Sequence, residues 1–313
     1  MRNAFAATIT ECAAADPRVV LLSGDIGNRL FDAFKKKFPD RFYNCGVAEA
    51  NMTSMAAGMA MCGLRPFTYT ITPFATTRVM EQIRVDVCYH NVPVVIVGTG
   101  SGLSYASLGP THHSCEDVAL LRALPNMTVL CPADPAEVRR AVPAVLELPG
   151  PVYLRLGKKG EPAVHREEPR FVIGKGIVLS EGNSVCLLGM GNMVATSLEA
   201  ATLLEAGGLS AMVVSMHTVK PLDEELLGDV FQRFPVVAVV EEHSRIGGLS
   251  GAIAEWLAAR DARPLGRLLA LGTPDTFLDE SGSQRHARGR FGLTPRAVAE
   301  EIRRFSSEVN RPK

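Results

Sequence analysis

The sequence predicts an α/β fold of two doubly wound domains, each a mostly parallel sheet with helices on both faces. Short apolar runs such as Val19 to Ser23, Val92 to Val97 and Val236 to Val240 alternate with stretches of helical periodicity. Runs that are apolar at nearly every position suit strands buried on both faces, the usual condition of parallel strands. Between two such series, Gly157 to Arg170 holds two Lys, two Pro, two Gly and three Glu among few apolar residues. It reads as a linker (157–170) between a first domain, 1–160, and a smaller second domain, 171–313.

Taken in order, residues 3 to 15 read as a helix ending before Asp16-Pro17, and Val19 to Ser23 as a buried strand running into the polar loop Gly24-Asp25-Ile26-Gly27-Asn28. A basic helical piece, Asp32 to Phe38, precedes a short strand at Phe42 to Asn44. A helix follows from Gly46 through Glu49 to about Cys62, then a strand from Arg65 to Ile71. Thr76 to Tyr89 fits one helix with Val79, Ile83 and Val87 on a face; Val92 to Val97 is the next strand. A helix from about Cys115 to Leu124, strand Thr128 to Cys131, helix Pro135 to Leu146 and strand Val152 to Leu156 complete the first half. Beyond the linker, strands are expected at Val185 to Leu188, Ala211 to Met216, Val236 to Val240 and Leu268 to Leu271. Helices are expected at Met193 to Ala206, Asp223 to Phe234, Leu249 to Arg260 and Pro295 to Phe305. The halves share a fold class but no fixed-period repeat, which excludes a solenoid.

With 313 residues, 47% of them hydrophobic, the chain can bury substantial cores. Lysine plus arginine equals aspartate plus glutamate at 33 each, so no net field points to nucleic acid or an anionic membrane. The N-terminal stretch is too polar for a signal sequence and no apolar run is long enough to span a bilayer, so a cytoplasmic setting is expected. Seven scattered cysteines without CxxC spacing suit reduced thiols rather than a disulfide framework.

Four features carry candidate chemistry. Glu49 heads a helix whose other residues are nearly all small or sulfur-containing. A helix apolar all round is normally buried, so this carboxylate needs a specific partner unless it only complements the helix dipole. Phe74 follows Pro73 and precedes a helix, an unusual place for a core aromatic; with Glu49 it would suit a flat heteroaromatic ligand, a ring to stack on and a carboxylate for a ring nitrogen. Pro110-Thr111-His112-His113-Ser114-Cys115 offers an imidazole for proton transfer beside a carbonyl, whereas adjacent residues without a second ligand group fit zinc poorly. Gly98-x-Gly100-x-Gly102 and Gly189-x-Gly191 each follow a strand, but Leu103 and Val194 stand where a dinucleotide fingerprint needs a third small residue, and the acid is missing. These glycines read as tight turns and close backbone approach.

Six segments stand together in the order and spacing of one family: Gly46-Val47-Ala48-Glu49-Ala50-Asn51-Met52, Phe74 to Arg84, Gly109-Pro110-Thr111-His112-His113, Leu130-Cys131-Pro132-Ala133-Asp134, Met216 to Asp223, and Glu241-Glu242-His243-Ser244-x-x-Gly247-Gly248-Leu249. The chain resembles the transketolase family across residues 1 to 306. It is similar to the pyrimidine-binding (Pyr) domain plus the C-terminal domain, as in the C-terminal subunit of a split, thiamine diphosphate-dependent transketolase. The resemblance implies that Glu49 hydrogen-bonds N1′ of the cofactor's aminopyrimidine and so activates it. It further implies that Phe74 stacks on that ring, that Ile71 walls the pocket, and that Asp25 lies close to the cofactor. His112 matches the histidine facing the donor carbonyl. His113 occupies a place often held by Gln, and Arg2 and Arg155 match arginines for the substrate's distal phosphate, a task a guanidinium fork suits.

Departures from the family pattern carry expectations too. The Gly-Asp-Gly segment that holds the diphosphate through Mg²⁺ has no counterpart, so the metal ligands are expected on another chain: an N-terminal, diphosphate-binding subunit, the two forming an α2β2 heterotetramer. Leu108 stands where the family commonly has an Asp for a donor hydroxyl, and Gly100 where it has a phosphate-contacting His. Leu cannot accept a hydroxyl's hydrogen bond. A sugar or ketose-like substrate that is less hydroxylated, or not phosphorylated, is therefore expected. The alternatives are a 2-oxo acid dehydrogenase β subunit, which shares the layout, and a non-catalytic partner protein.

Overall fold

The computed structural model describes residues 1–27, 29–260 and 265–309. Its strands are β1 (Val19–Ser23), β2 (Phe42–Asn44), β3 (Arg65–Ile71), β4 (Val95–Thr99), β5 (Thr128–Leu130), β6 (Val152–Leu156), β7 (Ile177–Ser180), β8 (Val185–Gly189), β9 (Ala211–Ser215), β10 (Thr218–Lys220), β11 (Val236–Ser244) and β12 (Arg267–Thr273). The helices are α1 (Arg2–Ala15), α2 (Asp32–Lys37), α3 (Glu49–Met61), α4 (Thr72–Ala75), α5 (Met80–Gln82), α6 (Asp117–Arg122), α7 (Pro135–Leu146), α8 (Met193–Glu205), α9 (Glu224–Arg233), α10 (Leu249–Ala258), α11 (Gln284–Arg290) and α12 (Pro295–Val309). No helix among the described residues is long and apolar enough to cross a membrane.

The first sheet runs β10-β5-β6-β4-β3-β1-β2 and the second β12-β11-β8-β9-β7, parallel except for β10 on β5 and β7 on β9. Strands β1, β4, β6, β8 and β9 are buried at every position, which is why they read as continuous apolar runs. Helix α7 starts where its sequence says it should. Asp134 caps the backbone N–H groups of Ala136 and Glu137, and Pro135 occupies the first turn, where its missing N–H costs nothing.

Three departures from the expected elements follow from local chemistry. Residues 76 to 89 bury Val79, Ile83 and Val87 as expected, but not on one α-helix: Thr76 (φ −127°, ψ −83°) breaks the backbone, a 3₁₀ turn at Thr77–Val79 leads into α5, and Ile83–Tyr89 is a π-helix. Such irregular turns gather at functional sites. The strand expected at 92 to 97 enters its ladder only at Val95 and extends to Thr99. Strands β7 and β10 and helix α11 were not anticipated, being short segments whose stability comes from distant partners.

Strand β10 is the more consequential of these. It follows β9 of the second sheet yet pairs antiparallel with β5 of the first, and Cys131 N–H donates to the His217 carbonyl at 2.7 Å. The segment expected as a linker is held to the first domain: Val164 N–H donates to Asp134 at 2.9 Å, and the His165 ring lies 2.9 Å from Glu137. All seven cysteines are free.

The deepest joint between the domains is ionic. Arg155 on β6 is 3% exposed; its Nε donates to Asp117 Oδ2 at 2.7 Å, and its Nη2 reaches Asp117 Oδ1 (3.1 Å), the Ser114 carbonyl (3.1 Å) and the Glu242 carbonyl on β11 (3.0 Å). Burial alone would raise the Asp117 carboxyl, but the guanidinium holds it below the ordinary range. Replacing Arg155 with Met leaves Asp117 charged and unpaired, so the account predicts a loss of roughly 3–5 kcal/mol in urea denaturation. An unchanged midpoint would mean that the joint is dispensable.

Candidate active site

The carboxyl ends of β1, β3, β4 and β6 form one edge of the first sheet, the place where open α/β sheets present ligand sites. Glu49 opens α3 at this edge and is 3% exposed. Its Oε2 accepts a hydrogen bond from Arg78 Nη1 at 2.9 Å, and the same guanidinium lies 3.9 Å above the Phe74 ring. The His112 ring packs edge-on to Phe74, centroids 5.3 Å apart, and stands 6.0 Å from Tyr105. Its Nδ1 lies 2.9 Å from Thr111 Oγ1. Glu49, Phe74 and His112, far apart in sequence, thus share one cluster through Arg78, a residue the sequence reading did not single out.

Glu49 and Phe74 together hold one planar N–H donor, the Arg78 guanidinium, on the ring face and at the carboxylate at once. Nearby, the Gly24 backbone approaches so closely that an added Cβ would come 3.1 Å from Thr70 Oγ1 and 3.4 Å from Glu49 Cγ; that Thr70 hydroxyl is buried without a protein partner. Asp25 follows in the left-handed region (φ 56°), exposed, and accepts from Asn44 Nδ2 at 2.9 Å. Half-buried Ile71 ends β3 opposite Thr99 of β4.

The loop carrying His112 is clamped at its base, where Gly102 and Ser114 exchange both backbone hydrogen bonds at 2.9 Å. Glu242 of the second domain accepts from Leu103 N–H at 2.7 Å and pairs with Arg288, and a Cβ on Gly102 would meet its Oε1 at 2.5 Å. The run from Glu241 to Leu249 is therefore a structural clasp. Glu241 accepts from the first backbone N–H groups of α10, at Leu249 (2.7 Å) and Ser250 (3.0 Å).

Several sequence expectations need correction. Arg155 faces the interior, its guanidinium committed to Asp117 and two carbonyls, so it is a brace for the loop rather than a free anion contact. Three residues on, past the end of β6, Lys158 extends over the Tyr105 ring at 4.1 Å. Partial burial, then repulsion from Lys159 and Arg2, pulls its ammonium below the ordinary value. His113 turns away from His112: it is 7% exposed and lines a separate cavity of about 300 Å³ with Leu103, Cys115 and Phe291. The loop tip exposes Leu108 to 52%.

Both glycine clusters behave as turns. Gly191 packs toward the Cys131 and Pro132 carbonyls of the first domain. Gly100 has φ +74°, and an added Cβ would come 2.0 Å from the Tyr105 ring. Tyr105 thus stands in the space a histidine at position 100 would need. Gly100→His should therefore lower stability by at least about 1–2 kcal/mol from the backbone alone, read as a drop in thermal midpoint; a midpoint equal to wild type would contradict this packing.

Residues 1–161 match the transketolase pyrimidine-binding domain and residues 174–298 the transketolase C-terminal domain. The chain is 38% identical to a 6-deoxy-6-sulfo-D-fructose transketolase subunit of a Clostridium species, over 100% of this chain and 95% of the relative. It is 36% identical to a putative transketolase C-terminal section of Methanocaldococcus jannaschii, over 96% and 95%. To an apulose-4-phosphate transketolase subunit of Phocaeicola vulgatus it is 31% identical, over 97% and 96%. Among solved structures it is similar to a split gene transketolase described as an inactive beta4 tetramer, with a TM-score of 0.90, 38% identity and 99% of each chain covered. These relatives do not favour the 2-oxo acid dehydrogenase reading. By these matches the chain belongs to the transketolase family, as the C-terminal subunit of a split enzyme.

Proposed function

We propose that this chain is the Glu49-bearing half of a two-subunit transketolase that is active only with its N-terminal partner and that moves a two-carbon ketol unit between anionic sugar-like substrates. The observation that carries the reading is the joint hold of Glu49 and Phe74 on one flat N–H donor. Bound thiamine diphosphate supplies an acidic thiazolium carbon able to take up a ketol unit and pass it on.

The chain's own residues do the rest. Glu49, sheltered from water, holds a proton at the pyrimidine N1′, and Phe74 fixes the plane of that ring. His112 faces the same space and exchanges protons with the donor's carbonyl and hydroxyl oxygens. Arg2 and Lys158 attract the distal anion, a phosphate or a sulfonate, with Lys158 carried over the Tyr105 ring. Leu108 offers no acceptor to a hydroxyl, which favours a donor lacking one there.

The sequence lacks the Gly-Asp-Gly unit, so the diphosphate and Mg²⁺ fall to the partner. The outward face of α3 (Ala50, Asn51, Ser54, Met55, Gly58, Met61) is exposed in the single chain and apolar enough to be covered in an α2β2 assembly. Relatives named for 6-deoxy-6-sulfo-D-fructose and for apulose 4-phosphate support a non-standard anionic substrate.

Co-expression with the N-terminal subunit, thiamine diphosphate and Mg²⁺, followed by a donor screen, tests the reading. Glu49→Gln should assemble normally and lose about 10²–10⁴-fold in turnover. Lys158→Ala should raise KM for an anionic donor while leaving kcat near wild type. Retained turnover in Glu49→Gln would remove that residue from the mechanism, and equal turnover of xylulose 5-phosphate and a deoxygenated donor would refute the substrate assignment.

A further inference from the structure

The Arg78 guanidinium makes, within this chain, both contacts that the functional reading assigns to the cofactor's aminopyrimidine. It is planar, carries N–H donors, lies 3.9 Å above the Phe74 ring, and donates to Glu49 Oε2 at 2.9 Å. A ring face accommodates one flat group at stacking distance. An aminopyrimidine seated on this face of Phe74 and bonded to this carboxylate oxygen would overlap the guanidinium. We infer that Arg78 is an internal occupant of the pyrimidine seat, which keeps Glu49 paired in the free chain and swings out when the cofactor binds.

Three features make such an exchange workable. Glu49 is 3% exposed, and a carboxylate so buried is costly to leave without a partner, which the cofactor's N–H donor would supply in place of Arg78. The Arg78 side chain, by contrast, is 44% exposed, so it can return to water without crossing the core. Its backbone belongs to the 3₁₀ turn Thr77–Val79, set between the break at Thr76 and the π-helix at Ile83–Tyr89 rather than inside a regular helix. The consequence is a displacement equilibrium. If Arg78 is docked about nine-tenths of the time, the apparent affinity for cofactor is about tenfold weaker than that of the open seat.

The inference rests on the thiamine diphosphate reading, and one titration separates their fates. Thiamine diphosphate with Mg²⁺ is titrated calorimetrically into the two-subunit complex, wild type and Arg78→Ala. The expected result is an apparent Kd about tenfold lower in Arg78→Ala, with millimolar guanidinium chloride restoring the weaker value by refilling the seat. Equal or weaker binding by Arg78→Ala, beside normal wild-type binding, would overturn the inference and leave the reading standing. No binding by the wild-type complex would instead overturn the reading. Arg78→Lys, which keeps the charge but not the flat face, covers the case in which the alanine variant does not assemble. It is expected to bind several-fold tighter than wild type, and binding no tighter than wild type would count against the inference.

Discussion

A guanidinium removed from water has to find acceptors for its N–H groups, and in this chain Arg155 finds them on both sides of the domain boundary. Asp117 answers its charge, the Ser114 carbonyl ties it to the end of the loop that carries His112, and the Glu242 carbonyl ties it to the second sheet. Glu242 then holds the start of the same loop at Leu103, so the loop is gripped at both ends by one buried network. The position of His112 against Phe74 depends on that grip. A charge in the core thereby serves the site without touching a substrate.

The site is correspondingly lopsided. On one side are a buried carboxylate, an aromatic ring and an imidazole; over Tyr105 lies the cation Lys158. Helix α3 carries Glu49 on its buried side and, apart from Asn51, shows small and sulfur-containing residues on the other, the kind of surface that close helix packing favours. A half-site that ends on such a face is coherent with a subunit whose remaining cofactor contacts lie on another chain.

Much of this was legible in the sequence because burial on both faces forces parallel strands to be apolar throughout, which bounds β1 and β6, and because the Asp134 cap and Pro135 mark the start of α7. Glu49 and Phe74 were legible as a carboxylate and a ring, and the family resemblance added His112; the fold brings the three together. What escaped had physical reasons. Strands β7 and β10 are short and owe their existence to pairing partners far away in sequence. Arg155 and Lys158 lie three residues apart at a strand's end, and only the geometry of β6 tells which side chain turns inward. His112 packs against Phe74 while His113 lines a separate cavity, a parting that only the loop's backbone decides. Arg78 falls within a stretch of helical periodicity, and no pattern there announces that its guanidinium will find Phe74 and Glu49.

The central claim, that the cofactor site is divided between two chains, is tested most directly by equilibrium dialysis. Labelled thiamine diphosphate with Mg²⁺ would be dialysed against this chain alone, the N-terminal subunit alone and their stoichiometric mixture. The account predicts tight, saturable binding only in the mixture, at one cofactor per pair of unlike chains. Binding of equal affinity and stoichiometry by this chain alone would contradict it.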